Sequence, residues 1–246
     1  MNRKIIGIIP ARYASTRFPG KPLILIRGKT MIQRVYEQAC KARKLSDVII
    51  ATDDKRIFTH VKNWGGNIVM TSAKHPTGTD RLAEVVRKIK SGKPFAVINI
   101  QGDEPFIDPK EIDKLCTMFN DKNVQIGTLA MPLTSESDLG NPGIIKVVVD
   151  KNKRALFFSR SSLPFNRSGI PFEEAGYLQH IGIYAYRTDV LLKITRMKQS
   201  QLEKLESLEQ LRWLQNGLEI HVGLTKKGSF SIDTPEDLLK IGSIEL

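Results

Sequence analysis

The chain opens with a short apolar run at Ile5–Pro10, and Met31, Ile32, Val35, Tyr36 and Ala39 follow it at helical spacing. The same alternation repeats. Val48–Ala51 reads as a strand and is followed by Ile57, Phe58, Val61 and Trp64 on one helical face. Asn67–Met70 precedes a helix carrying Leu82, Val85, Val86 and Ile89, and Phe95–Ile100 reads as a fourth strand. Strands that alternate with helices predict a mostly parallel sheet covered by helices on both faces. After about residue 120 the rhythm changes. Ile126–Met131, Ile144–Val149, Leu156–Ser159 and His180–Arg187 read as strands with few helices between them. A long helical stretch then carries Leu202, Leu205, Leu208, Leu211 and Trp213–Leu214 roughly in phase. Leu218–Leu224 is a further strand, and Thr234–Asp237 has the residues of a capped helix start. No repeat, linker or low-complexity tract interrupts the 246 residues, which predicts a single α/β domain with a β-rich second half.

Charge narrows the class of partner. Lys and Arg outnumber Asp and Glu by 38 to 26, a net charge of +12, which suits anionic partners. The cations are spread along the chain and aromatics make up only 7%, so a nucleic-acid surface, with its basic stripes and interleaved rings, is not expected. Cys40 and Cys116 are too few for a disulfide framework and suggest a reducing compartment. The first apolar run is too short for a signal peptide, and nowhere do about 18 apolar residues run together. A cytoplasmic protein without membrane insertion is expected.

Candidate chemistry clusters after the strands. The loop Pro10–Pro22 must lie beyond the carboxyl end of the first strand, where open α/β sheets bind ligands. Within it Arg12, Arg17 and Lys21 stand beside small residues, a set suited to a triphosphate, although residue types alone also fit a solvated basic loop. No G-x-G-x-x-G follows the first strand, and Gly28-Lys29-Thr30 is no Walker A end, because Leu23 occupies the place of its first glycine. Thr30 with Gln33 reads instead as a capping box. The fourth strand ends in Gln101-Gly102-Asp103-Glu104-Pro105, which turns Asp103 toward the same crevice; near polyphosphate such a hard oxygen ligand suits Mg²⁺. Asp233, in Ser231–Asp237, is a second candidate carboxylate, and equally a helix cap. His75–Arg81 opens a helix at which Thr77, Gly78 and Thr79 could meet an anion, while Thr79 or Asp80 as N-cap explains the stretch equally well. His75, a lone histidine, reads as structural. In His180–Tyr186, Ile181, Ile183 and Ala185 share one face of a strand and His180, Gly182 and Tyr184 the other.

The string P-A-R-Y-A-S-T-R-F-P-G-K-P-L at 10–23 resembles the signature of the sugar-nucleotide cytidylyltransferases, in particular the 3-deoxy-manno-octulosonate (Kdo) cytidylyltransferases. The similarity extends through H-P-T-G-T-D-R, Q-G-D-E-P, F-F-S-R-S, H-I-G-I-Y-A-Y-R, E-S-L-E-Q-L-R-W and S-I-D-T-P-E-D-L, from Ile5 to about Ile241, and thins between Phe165 and Leu178. It implies a Rossmann-like nucleotide-diphospho-sugar transferase fold, with a nucleotide-binding part at about 1–120 and a sugar-binding and dimerisation part at about 121–246. The implied reaction moves CMP from CTP to the anomeric hydroxyl of Kdo and releases pyrophosphate, for lipopolysaccharide biosynthesis; 8-amino-Kdo or sialic acid is the alternative acceptor. Arg12, Lys21, Asp103 and Asp233 are implied as catalytic, the two aspartates as ligands of Mg²⁺. Pro10, Ala11, Arg12, Arg17, Lys21, Thr77, Gly78, Arg81 and Asp103 are implied to bind CTP. Gln101, Arg160, His180, Tyr184, Glu209 and Gln210 are implied to bind the sugar, with Glu104 and Asp237 structural. A homodimer is the implied assembly.

Overall fold

Ile6, Ile8 and Ile9 are at most 1% exposed, so the first strand buries both its faces, as a central strand of a parallel sheet must. Each such isoleucine contributes about 1.5–3 kcal/mol through burial. The computed structural model describes residues 3–14, 18–226, 228 and 230–240. It divides into two compact units, one of residues 1–117 and 229–246, the other of residues 118–228. The change of rhythm expected near residue 120 falls close to the first division, and the C-terminal segment returns to the first unit.

In the first unit, strand β1 (Ile5–Ala11) is followed by a hairpin of β2 (Leu25–Ile26) and β3 (Lys29–Thr30), helix α1 (Met31–Cys40), β4 (Asp47–Thr52), α2 (Lys55–Asn63), β5 (Ile68–Met70), α3 (Gly78–Lys88), β6 (Ala96–Asn99) and α4 (Pro109–Met118). Its sheet runs β6-β1-β4-β5, all parallel. β1 is flanked by β4, the next long strand in the chain, and by β6, the last, so the winding reverses between β1 and β6. A crevice opens beyond the carboxyl ends of strands at such a switch point. The Gly28-Lys29-Thr30 stretch is part of the hairpin, whose turn residues Arg27 and Gly28 both have positive φ. Thr30 is the N-cap of α1 but makes no capping bond; its hydroxyl meets His60 Nε2 at 2.9 Å, and Gln33 donates to Glu37. The expected capping box is therefore absent, because a tertiary partner takes the hydroxyl.

The second unit holds β7 (Ile126–Pro132), α5 (Glu136–Leu139), β8 (Lys146–Val149), β9 (Ala155–Ser159), α6 (Phe172–Ala175), β10 (Leu178–Arg187), α7 (Thr188–Ile194), α8 (Gln201–Glu206), α9 (Gln210–Gln215) and β11 (Ile220–Leu224). β7 pairs parallel with β11 and antiparallel with β10, and β8 pairs antiparallel with both β9 and β10. Two expectations are corrected here. The long helix over 202–214 is two helices, broken where Ser207 takes φ 52°, and a buried fork from Arg212 to Glu203 at 2.6 and 2.7 Å clamps the corner. The clean alternation expected at 180–186 is interrupted by a register shift between Ile181 and Tyr184. Thr128 fills that irregularity, donating to the Ile183 carbonyl at 2.8 Å. Helix α10 (Pro235–Lys240), the last element, belongs to the first unit.

Candidate active site

At the carboxyl ends of β1 and β6 lies a cavity of about 410 Å³ lined by Pro10, Ala11, Arg12, Ala14, Lys21, Pro22, Gly78, Gln101, Gly102 and Asp103. Two glycines let its walls form. Gly20, at φ 73°, caps the short 3₁₀ turn Lys21–Leu23; its amide donates to the Tyr13 carbonyl at 2.9 Å, and a Cβ there would meet the Tyr13 ring at 3.2 Å. The guanidinium of Arg56 lies 3.3 Å from the centroid of that ring, so Tyr13 is held and the turn presents Lys21 inward. A Cβ on Gly102 would stand 2.9 Å from the Pro10 carbonyl, closer than the backbone allows, so only glycine brings the loop after β6 against the end of β1.

Lys21 Nζ donates to Asp103 Oδ2 at 2.7 Å and to Asp233 Oδ1 at 3.3 Å. Residues 82 and 212 positions away in sequence thus meet on one ammonium. Their convergence has a local cause. The fully buried Ile232 donates its amide to the Asp103 carbonyl at 2.9 Å, which lays the C-terminal segment along the loop after β6. The helix-cap alternative for Asp233 is answered by Asp237, whose Oδ2 accepts from the amides of Asp233 and Thr234, both at 3.0 Å. The capping carboxylate is one turn into α10, and the Asp233 carboxylate is turned to Lys21.

The other sequence candidates fall in different places. Arg12 lines the cavity and donates to the His75 carbonyl at 2.5 Å. Thr77, not Thr79 or Asp80, is the N-cap of α3: its hydroxyl accepts from the Asp80 amide and donates to the Asp80 carboxylate. Arg81 is 0% exposed and does not line the cavity; its guanidinium is directed at Thr71 and at Asp53, 3.2 Å away. Burial lowers its pKa, and Asp53 counters that. The sequence offered no signal for Asp53 and Thr71, which reach Arg81 only because β4 and β5 are neighbours. Arg17 lies outside the described residues.

The expected sugar residues other than Gln101 lie in the second unit. Arg160 is held at four points. Its amide donates to the Glu206 carboxylate at 2.9 Å, and its carbonyl accepts from Lys146 at 2.6 Å. Nε reaches the Glu206 carbonyl and Nη1 the Pro142 carbonyl, both at 2.8 Å. Lys146, itself fully buried, gives its other protons to Asn141 and Ile144 carbonyls. Tyr184 is buried against Trp213 with ring centroids 5.3 Å apart, and its hydroxyl is enclosed. Gln210 is buried in the first turn of α9, and Glu209 precedes it as N-cap. His180 packs against Phe158 and Tyr184, its Nε2 2.9 Å from the Thr128 hydroxyl.

Burial pushes the His180 pKa down to about 3. The unfolded chain would bind a proton there near pH 6.5, while the folded chain does not until about pH 3. Stability contributed by this site is therefore complete above pH 6.5 and declines as pH falls toward 3, by at most about 1.4 kcal/mol per pH unit. Urea melts between pH 7 and 4 are expected to show this slope in the wild type and a slope about one proton smaller in His180→Gln. Equal slopes would remove the claim.

Among the described residues no group of three or more His, Cys, Asp or Glu side chains is placed to hold a metal ion. The two carboxylates on Lys21 nevertheless fit a Mg²⁺ that arrives with a polyphosphate, since that ion takes one or two carboxylates plus phosphate oxygens and water. A cation, the Lys21 ammonium, already stands between them.

A parallel sheet with opposed charges over its switch point is the framework of a nucleotide-binding transferase. A family model described as cytidylyltransferase matches residues 6–220. A 3-deoxy-manno-octulosonate cytidylyltransferase of Parabacteroides distasonis is 54% identical over 244 residues, covering 96% of each chain. One of Bacteroides thetaiotaomicron is 52% identical, covering 96% of this chain and 95% of its own. Among solved structures, CMP:2-keto-3-deoxy-manno-octonic acid synthetase complexed with CTP superposes with a TM-score of 0.91 at 42% identity, covering 98% and 97% of the two chains. The chain belongs to the 3-deoxy-manno-octulosonate cytidylyltransferase family. Its fold is the nucleotide-diphospho-sugar transferase fold that the resemblance implied.

Proposed function

We infer that this chain transfers CMP from CTP to Kdo and releases pyrophosphate. The observation that carries the reading is the meeting of Asp103 and Asp233 on Lys21 at the mouth of the switch-point cavity. The anomeric hydroxyl oxygen of the sugar attacks the α-phosphorus, the bond to the β-phosphate oxygen breaks, and the hydroxyl proton passes to solvent. Arg12 and Lys21 stand at the cavity wall, where they neutralise the charge that grows on departing pyrophosphate. Gly78, beside the N-terminus of α3, lets backbone approach the nucleotide closely.

Charge arithmetic supports a role for a divalent cation. Among the described residues, the guanidinium of Arg12 and the ammonium of Lys21 stand beside the two carboxylates, so these four groups by themselves give a polyphosphate little net attraction. Asp103 and Asp233 would hold Mg²⁺, which when bound polarises the α-phosphate and acidifies the attacking hydroxyl. A cytoplasmic location, expected from the sequence, and a homodimeric state, implied by the family resemblance, belong to the same reading. No helix among the described residues is long and apolar enough to cross a membrane.

Pyrophosphate release should be followed with CTP against Kdo, 8-amino-Kdo and sialic acid, with and without millimolar Mg²⁺. Turnover is expected with CTP, Kdo and Mg²⁺, and weak or none with the other acids. Preference for another acid, or full activity in chelator, would overturn the corresponding part.

A further inference from the structure

We propose that the Glu84–His75 pair is a positioning device for Arg12, fixing the guanidinium at the cavity wall through the His75 main chain. Glu84 lies on α3, whose buried face of Leu82, Val85 and Val86 makes the helix a rigid base. Its Oε2 accepts from the Ser72 amide at 2.8 Å and meets His75 Nε2, while Lys88 pairs with Oε1 at 2.8 Å. Lys88 also donates to the Met70 carbonyl at 2.6 Å, at the end of β5. The loop from β5 to α3 is thereby tied to the helix at both its start and its middle. The carbonyl of His75, inside that tied loop, is the group that accepts Arg12 Nη2 at 2.5 Å. Gly78, immediately beyond the loop, lines the same cavity.

The chemistry of the pair is fixed. Burial opposes ionisation of Glu84, yet Lys88, the Ser72 amide and the His75 ring hold its pKa down to about 2. It is a carboxylate at any working pH, so Nε2 of His75 donates to it and the ring cannot turn over. An arginine on a flexible stem costs conformational freedom to order, and a preset guanidinium avoids that cost when the nucleotide binds. The same contacts could merely staple a loop, and kinetics separates the two roles.

The inference rests on the cavity being the nucleotide site, so the test includes Arg12→Ala by itself. In the full-length protein, Glu84→Ala and His75→Phe are each expected to raise KM for CTP about tenfold and leave KM for Kdo within about twofold. Glu84→Gln, which keeps an acceptor, should recover most of the loss. In the Arg12→Ala background, adding Glu84→Ala should change KM for CTP by less than about twofold, because the device then has nothing to position. Equal shifts in both KM values, additive effects in the double variant, or a lowered Tm with unchanged kinetics would overturn the proposal. So would failure of both Glu84→Ala and His75→Phe to fold, which would assign the pair to stability. Unchanged CTP kinetics in Arg12→Ala would instead overturn the reading of the cavity itself.

Discussion

Asp103→Asn is expected to lower kcat by on the order of a thousandfold, with Tm moving by no more than about 4 °C. The asymmetry follows from where the side chain sits. Asparagine keeps the shape and an acceptor for Lys21, and the contact that docks the C-terminal segment is made by the Asp103 carbonyl, which the substitution does not touch. What is lost is one negative charge at the point where the proposed reaction sets the α-phosphate. Remaining there are one carboxylate and the ammonium that pairs with it, which weakens the hold on a divalent cation without disturbing the cavity wall. KM for CTP should change far less than kcat, because Arg12 and Lys21 still line the cavity. Steady-state pyrophosphate release with a melting curve on the same sample checks both halves. Retained turnover at millimolar Mg²⁺ would contradict the assignment.

Lys21→Met carries the next largest effect, a fall in kcat/KM for CTP of about a hundredfold or more. The ammonium serves two partners at once, and its side chain is only 13% exposed against 25% for Asp103 and 39% for Asp233. Methionine fills much the same volume without charge. Two carboxylates then face one another without the ammonium between them, which disfavours both their own approach and that of a polyphosphate. The variant should therefore lose stability at neutral pH, and millimolar Mg²⁺ should raise its Tm more than it raises that of the wild type. Differential scanning fluorimetry with and without the ion reads this directly. A variant with wild-type CTP kinetics, or no gain from Mg²⁺, would separate Lys21 from the two aspartates.

The framework of the first unit was legible because its central strands β1 and β6 are buried on both faces. Runs such as Ile5–Pro10 and Phe95–Ile100 need no partner to be recognised, and the order of strands and helices implies parallel winding. The loops bearing Arg12, Lys21 and Asp103 were legible for the same reason, as the ends of recognised strands. Asp233 was ambiguous. Deciding between cap and crevice required Asp237 and the Ile232–Asp103 contact, which only the tertiary fold supplies. For Arg81 the resemblance implies CTP binding; its observed partners Asp53 and Thr71, each contributed by a different part of the chain, left no sign in the sequence. Glu84 was invisible for a similar cause: nothing local says that one carboxylate serves Ser72, His75 and Lys88 together. In the second unit the helical period of 202–214 conceals a break. Leucines stay in phase across Ser207, and the buried Arg212–Glu203 fork that holds the corner has no periodic signature.

The most direct test of the central claim is a crystal structure of the chain soaked with CTP. The expected result places the triphosphate in the cavity over the β1/β6 switch point, in contact with Arg12 and Lys21 and with its α-phosphate toward Asp103. CTP bound elsewhere, with Lys21 still bridging Asp103 and Asp233 beside an open cavity, would contradict it.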